Sequence, residues 1–552
     1  MNFRNLVIIA SVLLLITPAI QGQEDITKQV QVIKAYKPKM ERVNKISELP
    51  DITDTTVTDI SFNYDLLPKR AKTEPELAPI PAASMVGEPL SQFYSRYIKV
   101  GMGSKLSPAA EFSIGSKRSE DRVLGAYLKH NSSDGNVPMP EESEAFAGFS
   151  DNQIKLFGKN FFKNSVLDGE IGLNRNTRYF YGYRAEADTS LNTSDIKQTF
   201  LRLNADLGFK STYTDSTNLN YDFDLTYDHV GDKFDTKEDI LGFKVRLNKF
   251  IENNIVELNT GFDYLMFESP KDTGTNTLFH FKPTIAKFDD NWKMKGGVNF
   301  VADAVEGNTK LRIYPVAELE YDIIDQYIIP YGGVDGNIDF NSYYSSTLEN
   351  PFMIPGLRVG NTNNKMIFYA GIKGNLTSST YYNTGVRYSF FDHMPFFYNA
   401  LEETNGVGNQ FGVIYDNGEC MNMYGELDFN FSENVNIRAS GNYYQYALYT
   451  ENQPWHKPLF DLSLSGKYNI RDKIILDAEA YVYGPRWAKT SLNGEGFEMD
   501  GFTDLNFGME YRYSKVLSAY IDFKNILSNN YSMWNQYPVY GLQVFLGITY
   551  AF

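Results

Sequence analysis

From Arg96 to the last residue, Phe552, apolar and polar side chains alternate along the chain with a period of two. In the clearest stretch, every second residue from Tyr540 to Phe552 is apolar. Successive side chains of a β-strand point to opposite faces, so such a stretch gives the strand one continuous apolar face. Comparable stretches begin at Leu201, Leu219, Phe460 and Leu505, with a more polar second face. This pattern favours strands over helices throughout the region.

The length of these stretches separates two β architectures. A soluble antiparallel sandwich also alternates, but its strands are usually about 5–6 residues long. The stretches here run for about ten residues, the length expected of a strand that crosses a bilayer with an apolar outer face and a polar inner face. The sequence therefore predicts an all-β fold, a transmembrane antiparallel β-barrel over residues 96–552. An exported soluble all-β protein is the alternative.

Composition narrows the function further. The 552 residues carry 52 Lys and Arg against 68 Asp and Glu, a formal charge of -16. This acidic balance argues against a nucleic-acid partner, since neutralising phosphates requires a basic face. Mean hydropathy is -0.36, and no apolar run of spanning length follows the N-terminus, which excludes a bundle of transmembrane helices. A single cysteine, Cys420, excludes an internal disulfide framework and a Cys-based zinc cluster.

The first 95 residues differ from the rest. Arg4 precedes an apolar stretch over residues 6–20, a pattern typical of a secretory signal peptide, and we expect the signal to occupy residues 1–22. Residues 23–95 hold seven of the 22 prolines, a density that disfavours helix and sheet. We interpret this region as a mostly irregular periplasmic arm.

Turn signals allow the strands to be counted. Barrels of this kind have short periplasmic turns, longer outer loops and an even number of strands. Short turns are predicted at residues 117–121, 163–166, 214–217, 252–254, 289–291, 324–326, 377–379, 432–435, 471–473 and 513–515. The longer outer loops are predicted at residues 131–150, 341–364, 393–419, 484–500 and 527–538. Ten turns alternating with eleven outer connections give about 22 strands, and the loss of one hairpin would give 20.

The C-terminal stretch carries a family resemblance. Residues 521–527 read IDFKNIL and include Asn525. Together with the later Tyr531, Pro538, Gly541 and terminal Phe552, this stretch resembles the closing segment of TonB-dependent receptors. The resemblance covers the barrel and implies a 22-stranded barrel in the outer membrane of a Gram-negative cell, with a role in uptake.

The same family implies a globular plug of well over a hundred residues before the barrel, and this chain departs from that pattern. Only 73 proline-rich residues separate the signal from the barrel, and residues 28–32 match the family's TonB-contacting box poorly. The chain is similar to the plug-less, receptor-like barrels of Bacteroidota. Two functions follow as hypotheses. One is transport, with outer-membrane lipid around the barrel and a separate surface lipoprotein or plug. The other is a non-transporting accessory subunit of a larger outer-membrane complex.

A barrel of 22 strands encloses a wide lumen, which in known cases is plugged. We expect this lumen to be occluded by inward loops, the arm and long inward side chains. The inward side chains are Arg202, Lys467, Glu510 and Arg512. Six predicted inward carboxylates either bind cations or form the wet face of the wall: Asp222, Asp224, Glu318, Glu320, Asp477 and Glu479.

No motif predicts an enzyme. The five histidines show no metal-binding spacing, and no serine has a nucleophile motif around it. Asp228 and His229 lie near the outer end of a strand, where omptin protease barrels place Asp and His, but a solvated rim pair is the simpler interpretation. We predict no catalytic, cofactor-binding or metal-binding residue.

Outer loops are the better place to look for recognition, because loops on a rigid scaffold commonly carry function. Exposed aromatic and Met side chains are enriched at recognition surfaces. The predicted recognition residues are Tyr343, Tyr344, Phe352, Met353, Trp455, Trp487 and Trp534. Two alternatives stay open: an aromatic girdle at the membrane interface, or loops that pack over the mouth of the barrel.

Overall fold

The structure, a computed structural model, describes residues 94–116, 119–139, 143–182, 192–213, 218–252, 254–404 and 408–552. The chain divides into two units, residues 1–87 and 88–552, and the described residues belong to the second. The predicted signal peptide and nearly all of the predicted arm lie outside the described residues, so those two predictions stay untested.

Twenty-two long strands form the wall. They are β1 Arg96–Gly103, β2 Ser107–Gly115, β3 Arg122–Ser133, β4 Phe149–Phe161, β5 Ser165–Tyr179, β6 Lys197–Ser211, β7 Asn220–Asp232, β8 Lys237–Ile251, β9 Asn254–Glu268, β10 Thr273–Asp289, β11 Trp292–Val305, β12 Asn308–Tyr321, β13 Ile329–Asp339, β14 Thr362–Thr377, β15 Thr380–Asn399, β16 Phe411–Ser432, β17 Val435–Leu448, β18 Phe460–Ile470, β19 Ile474–Tyr483, β20 Phe502–Arg512, β21 Leu517–Lys524 and β22 Gln543–Ala551.

Each strand pairs antiparallel with the next, and β22 pairs with β1 to close the cylinder. The seam is held at its end by two backbone hydrogen bonds between Arg96 and Phe552, of 3.0 and 2.9 Å. A closed ladder leaves no sheet edge, which is what lipid requires of a spanning sheet. The prediction of a closed 22-stranded antiparallel barrel is confirmed.

The register confirms the assignment of the two faces. Leu546, Ile548 and Tyr550 of β22 point outward and are 58, 50 and 43% exposed. Their neighbours in the ladder, Val100 and Met102 of β1, also point outward and are exposed. The apolar stripe identified in the sequence is therefore the face that contacts lipid.

Seven of the ten predicted short turns fall between consecutive strands as the sequence predicts, at the end of the barrel that also holds Arg96 and Phe552. The turns predicted at residues 117–121, 214–217 and 252–254 lie wholly or partly outside the described residues. One outer-loop boundary was wrong. Residues 393–399 and 411–419 belong to β15 and β16, which reach 20 and 22 residues. Their pairing continues beyond a register shift between Phe391 and Met394, so only residues 400–410 form the loop.

The ladder between β12 and β13 is short. It joins only residues 317–320 to residues 331–334, although the two strands have 14 and 11 residues. Beyond Val334 the hairpin of β13 and β14 turns into the lumen, where Ile338 packs on Leu278 and Tyr314 of the inner wall. The following segment, residues 340–361, therefore lies inside the barrel and not in its wall.

The remaining elements lie in the outer connections. The described residues hold one short helix, α1 (Tyr343–Glu349), which begins at the N-cap Ser342. Three small hairpins pair Asn136–Pro138 with Glu144–Phe146, Arg486–Lys489 with Gly496–Met499, and Ser532–Trp534 with Tyr537–Pro538. No helix in the described ranges has the length and hydropathy to cross a membrane.

Candidate functional site: the lumen and its outer cap

The inner wall of the barrel is lined by ion pairs that remain in contact with water. Arg246 contacts Asp222 and Asp224 at 2.6 and 2.9 Å, and its side chain is 56% exposed. Similar cross-strand pairs join Lys155 to Glu170, Lys282 to Asp335 and Lys373 to Glu320, at 2.7 to 2.8 Å. The wall therefore presents a hydrophilic, charged surface to the lumen.

At the outer end, loops and strand ends form one buried apolar cluster, here called the cap core. It brings residues of β6, β9, β15 and β16 together with residues of three outer connections. Its members are Phe180, Ile196, Phe200, Leu265, Phe267, Tyr343, Phe352, Met353, Val359, Phe397, Phe411, Trp534 and Tyr537. The outer mouth is thus closed by side chains of the chain itself.

The segment 340–361 crosses the mouth. On one side its helix α1 contacts Glu238 of β8. On the other side its backbone pairs with β16, where Ile354 N donates to Phe411 O and Phe411 N donates to Phe352 O, both at 2.9 Å. Seven strands separate β8 from β16, so a single segment that touches both spans the lumen.

The start of α1 is fixed by a buried carboxylate. Glu238 is 1% exposed, and its two oxygens accept hydrogen bonds from Tyr343 N and Tyr344 N, at 2.7 and 3.0 Å. These amides are among the first N–H groups of the helix, which have no partner within it.

The Tyr343 side chain provides a second anchor. It is 1% exposed, and its hydroxyl donates to Asp232 Oδ2 at 2.8 Å, where Gln198 also donates at 2.9 Å. Burial and the neighbouring carboxylate raise the pKa of Tyr343 well above its ordinary value. The phenol therefore remains a neutral hydrogen-bond donor.

A buried amide network fixes the end of the segment. Asn361 Nδ2 donates to Asn276 Oδ1 at 3.1 Å and to Asp303 Oδ1 at 3.0 Å, while Asn276 Nδ2 donates back to Asn361 Oδ1 at 2.8 Å. Asn276 and Asp303 belong to the inner faces of β10 and β11. Buried polar groups left without partners cost stability, so this network specifies where the segment leaves the wall.

The last outer connection, residues 525–542, packs against that segment. The Tyr537 ring stacks on Phe352 with centroids 3.6 Å apart. Asn535 Nδ2 donates to Asn399 Oδ1 at 2.7 Å. The guanidinium of Arg486, which is 2% exposed, donates to the backbone oxygens of Ser532 and Met533. Burial lowers the pKa of Arg486 from its ordinary value.

The connection that joins β17 to β18, residues 449–459, completes the cap. Glu451 accepts from Trp455 Nε1 at 2.7 Å and pairs with Lys489 of the neighbouring hairpin at 2.8 Å. His456 is 6% exposed, and its Nδ1–H donates to Phe397 O at 3.0 Å. Its ring lies 5.2 Å from that of Trp534. Burial lowers the pKa of His456 to about 3.

A cavity of about 270 Å³ lies between the segment 340–361 and the wall. Arg358 is held in its lining by Asp272 and Glu306, at 3.1 and 2.5 Å. The rings of His393 and Tyr415 stack with centroids 3.9 Å apart. The other lining residues are Glu238, Leu265, Asn276, Val305, Val359 and Gly360. The cavity mixes apolar walls with a few fixed polar groups, as small-molecule pockets do.

The structure corrects the expectation that the predicted recognition residues are exposed. Five of the seven are buried: Tyr343, Phe352, Met353, Trp455 and Trp534. Tyr344 and Trp487 are half-buried, and Tyr344 receives the guanidinium of Arg202 over its ring at 5.0 Å. These residues are buried because their loops pack over the mouth of the barrel, which is one of the alternatives that the sequence left open. Their role in recognition stays a prediction.

The family-like C-terminal residues stabilise the seam and the last loop. Asn525 Nδ2 donates to Asn529 O and Tyr540 O, at 3.0 and 2.8 Å. Tyr531 donates to Asp504 Oδ2 at 2.6 Å and stacks on Phe502. Pro538 O accepts from the Tyr181 hydroxyl at 3.0 Å. A Cβ at Gly541 would lie 2.9 Å from Ser528 Oγ, and Phe552 closes the seam with Arg96.

The other sequence candidates separate. Asp228 points inward and pairs with Arg202 at 2.6 Å, whereas His229 points outward and contacts Asp239 at 2.8 Å. The two side chains therefore lie on opposite faces of the wall and cannot act together. Of the six predicted inward carboxylates, Asp222, Asp224, Glu318 and Glu320 pair with cations. Asp477 and Glu479 have no ion pair within the described ranges.

The described part of the chain contains no group of three or more His, Cys, Asp or Glu placed to hold a metal ion. The anchors of the cap were missed by the sequence analysis: Asp232, Glu238, Arg358 and Asn361. Parity within the strands could have shown that Glu238 faces inward near an outer strand end. Nothing local to residue 238 identifies its partner, which lies 105 residues away.

No protein-family model matches the chain, and no curated protein matches it by sequence. Solved structures do share its fold. The FrpB iron transporter from Neisseria meningitidis (F3-3 variant) has a TM-score of 0.64 and 10% identity, over 84% of this chain and 82% of that one. The siderophore receptor PirA from Acinetobacter baumannii has a TM-score of 0.62 and 11% identity, over 83% of this chain and 80% of that one. The copper transporter OprC has a TM-score of 0.63 and 10% identity, over 83% of this chain and 80% of that one.

At these identities the likeness concerns the fold. It agrees with the closed 22-stranded antiparallel β-barrel described above. The site that this fold defines is a charged lumen beneath a cap made of outer loops.

Proposed function

We propose that the protein is a gated transport barrel of the outer membrane, in which the segment 340–361 acts as the gate. The observation that carries the proposal is the combination of a charged, water-exposed inner wall with an outer mouth closed by a buried loop. Such a wall suits a water-soluble solute, and the cap must move before the solute enters. The iron transporter, siderophore receptor and copper transporter that share the fold support a role in uptake.

The proposal includes uptake without a globular plug of the chain's own. Its support is the 73 proline-rich residues between the predicted signal and the barrel, a length below that of the plug the resembled family implies. The arm and a separate plug or surface lipoprotein would then complete the closure from the periplasmic side or the cell surface.

Electrical recording in planar bilayers tests the gate. Asp339 and Thr362 are direct partners in the ladder, so a two-residue Asn-Gly turn can replace residues 340–361 without altering β13 or β14. We expect the full-length barrel to show no large, stable conductance and the excised variant to show one. Leu348→Ala is the matched control, since Leu348 lies on α1 but is 66% exposed.

Two outcomes would contradict the proposal. A large, stable conductance of the unmodified protein would show that the cap does not close the lumen. An excised variant that is folded but silent would show that closure lies elsewhere, and the segment 340–361 would then not be the gate.

The second candidate is a non-transporting subunit of a larger outer-membrane complex. The burial of five predicted recognition side chains favours it, because it leaves fewer aromatic groups free for a solute. Purification in mild detergent followed by mass spectrometry separates the two. Stoichiometric partner chains support the accessory role, whereas a lone protein with growth-linked uptake of a solute supports transport.

A further inference from the structure

The lipid-facing side of β3 to β8 carries an apolar groove of about 570 Å³. Its floor consists of small residues, Gly158 of β4, Gly169 of β5 and Ala205 of β6. Large apolar side chains border it: Leu124, Leu156, Ile171, Leu207, Leu225 and Leu241. The groove is within the size range of about 300–1,000 Å³ typical of ligand pockets.

The register explains why a groove forms there. Gly158 pairs directly with Gly169, and this pair is flanked in the same row by Leu124 and Leu207. Two adjacent strands therefore lack an outward side chain at the same level, while the strands on either side carry leucine. The result is a trough that a flexible hydrocarbon chain can fill.

A polar row lies on the same face, towards the outer end. His130, Asn152 and Arg175 are neighbours in register on β3, β4 and β5. They lie four residues beyond Ala126, Leu156 and Ile171, about 13 Å along the strands. His130 Nδ1 donates to Asn152 Oδ1 at 2.7 Å, and Asn152 Nδ2 donates to Ser150 Oγ at 3.0 Å. The first bond joins β3 to β4, and Asn152 Nδ2 also donates to the backbone oxygen of Arg175 on β5, at 3.5 Å.

Arg175 is exposed on this lipid-facing surface and has no ion pair within the described ranges. The contrast with Arg178, three residues further along β5, is direct. Arg178 faces the lumen and pairs with Asp151 at 2.7 Å. The nearby outward carboxylate, Asp239, is engaged by His229 and Tyr227, at 2.8 and 2.7 Å. Arg175 therefore presents a free guanidinium at the border of the apolar belt.

The chemistry of this surface identifies its ligand. A guanidinium is a planar donor group that matches a phosphate, and Asn152 and His130 add polar atoms beside it. An acyl chain attached to that phosphate would lie over the small residues. The polar row faces the end with the long loops, which in barrels of this type is the cell exterior. The outer leaflet of a Gram-negative outer membrane is built of phosphorylated glycolipid.

We propose that the outer wall of β3 to β8 holds one molecule of a phosphorylated glycolipid of the outer leaflet. Its phosphate binds the Arg175 guanidinium beside the hydrogen-bonded pair of Asn152 and His130, and one acyl chain occupies the groove over Gly158 and Gly169. The site lies on the exterior of the barrel and does not depend on what passes through the lumen.

Native mass spectrometry of the full-length barrel tests this site. The delipidated protein in dodecyl maltoside is incubated with diphosphorylated lipid A or with phosphatidylglycerol. We expect one tightly retained lipid A and at least about tenfold weaker retention after Arg175→Glu, since hydrogen bonds to charged groups are strong. Gly169→Leu fills the groove and should reduce retention similarly. A Cβ at residue 169 meets its nearest atoms at 3.6–3.7 Å, so the wall tolerates it.

Two matched controls keep the test specific. Gly466→Leu adds the same side chain to the outward face of β18, where a Cβ has its nearest neighbour at 3.9 Å, and Lys287→Glu reverses an exposed charge at the opposite end of the wall. Both should leave retention unchanged, and heat-modifiable migration on a gel confirms that each variant is folded. Equal retention by wild type and Arg175→Glu, or equal retention of phosphatidylglycerol and lipid A, would overturn the proposal.

Discussion

The wall of the lumen and its outer cap are stabilised by different kinds of interaction. Along the wall, charges such as Arg246 and Asp222 pair in contact with water, where an ion pair contributes about 0–1 kcal/mol. In the cap, Tyr343, Glu238 and Asn361 are buried, and each loses its hydrogen bonds to water on folding. The wall can lose a pair with little effect, whereas the cap depends on every anchor.

In the proposed function, that difference separates the scaffold from the gate. The wall is secured by its closed backbone ladder, so its side chains are free to provide a hydrophilic surface. The segment 340–361 has no place in the ladder and is held only by side-chain and short backbone contacts. A gate built in this way can open without breaking the barrel.

The largest expected effect is in the cap core. Tyr343→Ala removes a buried ring and its bond to Asp232, and such truncations cost about 3–5 kcal/mol. Amide hydrogen exchange of residues 343–349 should accelerate by about 100-fold or more. Leu348→Ala, on the exposed side of the same helix, should change it little. Similar exchange rates in the two variants would show that Tyr343 does not secure the cap.

Acid should loosen the cap through His456. The pKa of this buried imidazole is about 3, below its ordinary value of 6.5. Above pH 6.5 the imidazole is neutral in both the folded and the unfolded protein, and the cap has its full stability. As the pH falls below 6.5, only the unfolded protein takes up the proton, so stability is lost. The slope is at most about 1.4 kcal/mol per pH unit, or about 2 kcal/mol at pH 5. Trp534 lies beside it, so tryptophan fluorescence between pH 8 and pH 5 reports the change. His456→Gln should flatten the profile, and an unchanged profile would contradict the prediction.

An intermediate effect is expected for Glu238→Gln. The amide retains one acceptor for the two N–H groups of α1, so one of these N–H groups loses its partner, which should cost about 1–2 kcal/mol. Exchange of the amides of Tyr343 and Tyr344 should accelerate about 5–30-fold. Glu433→Gln is a suitable comparison, because Glu433 is an exposed carboxylate in a turn at the opposite end of the barrel. Equal acceleration of this exchange in both variants would show that Glu238 does not anchor α1.

The smallest effect is expected in the wall. Arg246→Gln removes the cation between Asp222 and Asp224, and the exposed pairs should contribute no more than about 1 kcal/mol to global stability. Urea unfolding of the barrel measures it. A loss as large as that of Tyr343→Ala would eliminate the distinction between wall and cap.

Much of the fold could be predicted because it repeats locally. Alternation identifies the lipid-facing side of β22 from Val544 to Tyr550, and polar turn residues such as Asn434 and Asp472 mark the strand ends. The extension of β15 to Asn399 was missed because a register shift after Phe391 interrupts the alternation.

The cap could not be predicted in the same way. Tyr343, Phe352 and Trp534 are aromatic residues in loops, and the sequence permits exposure, an interfacial girdle or burial. Their state depends on partners far along the chain, such as Asp232 for Tyr343 and Tyr537 for Phe352. The arrangement also requires the short ladder between β12 and β13, which releases the segment into the lumen.

The sequence by itself therefore determined the class of the fold, the number of strands and the direction in which each strand residue points. The reason is that a strand's period of two and the absence of water in the bilayer leave few alternatives. Tertiary structure alone decided that the long loops fold inward and bury their aromatic residues. Those contacts join residues more than a hundred positions apart, and only the closed cylinder brings them together.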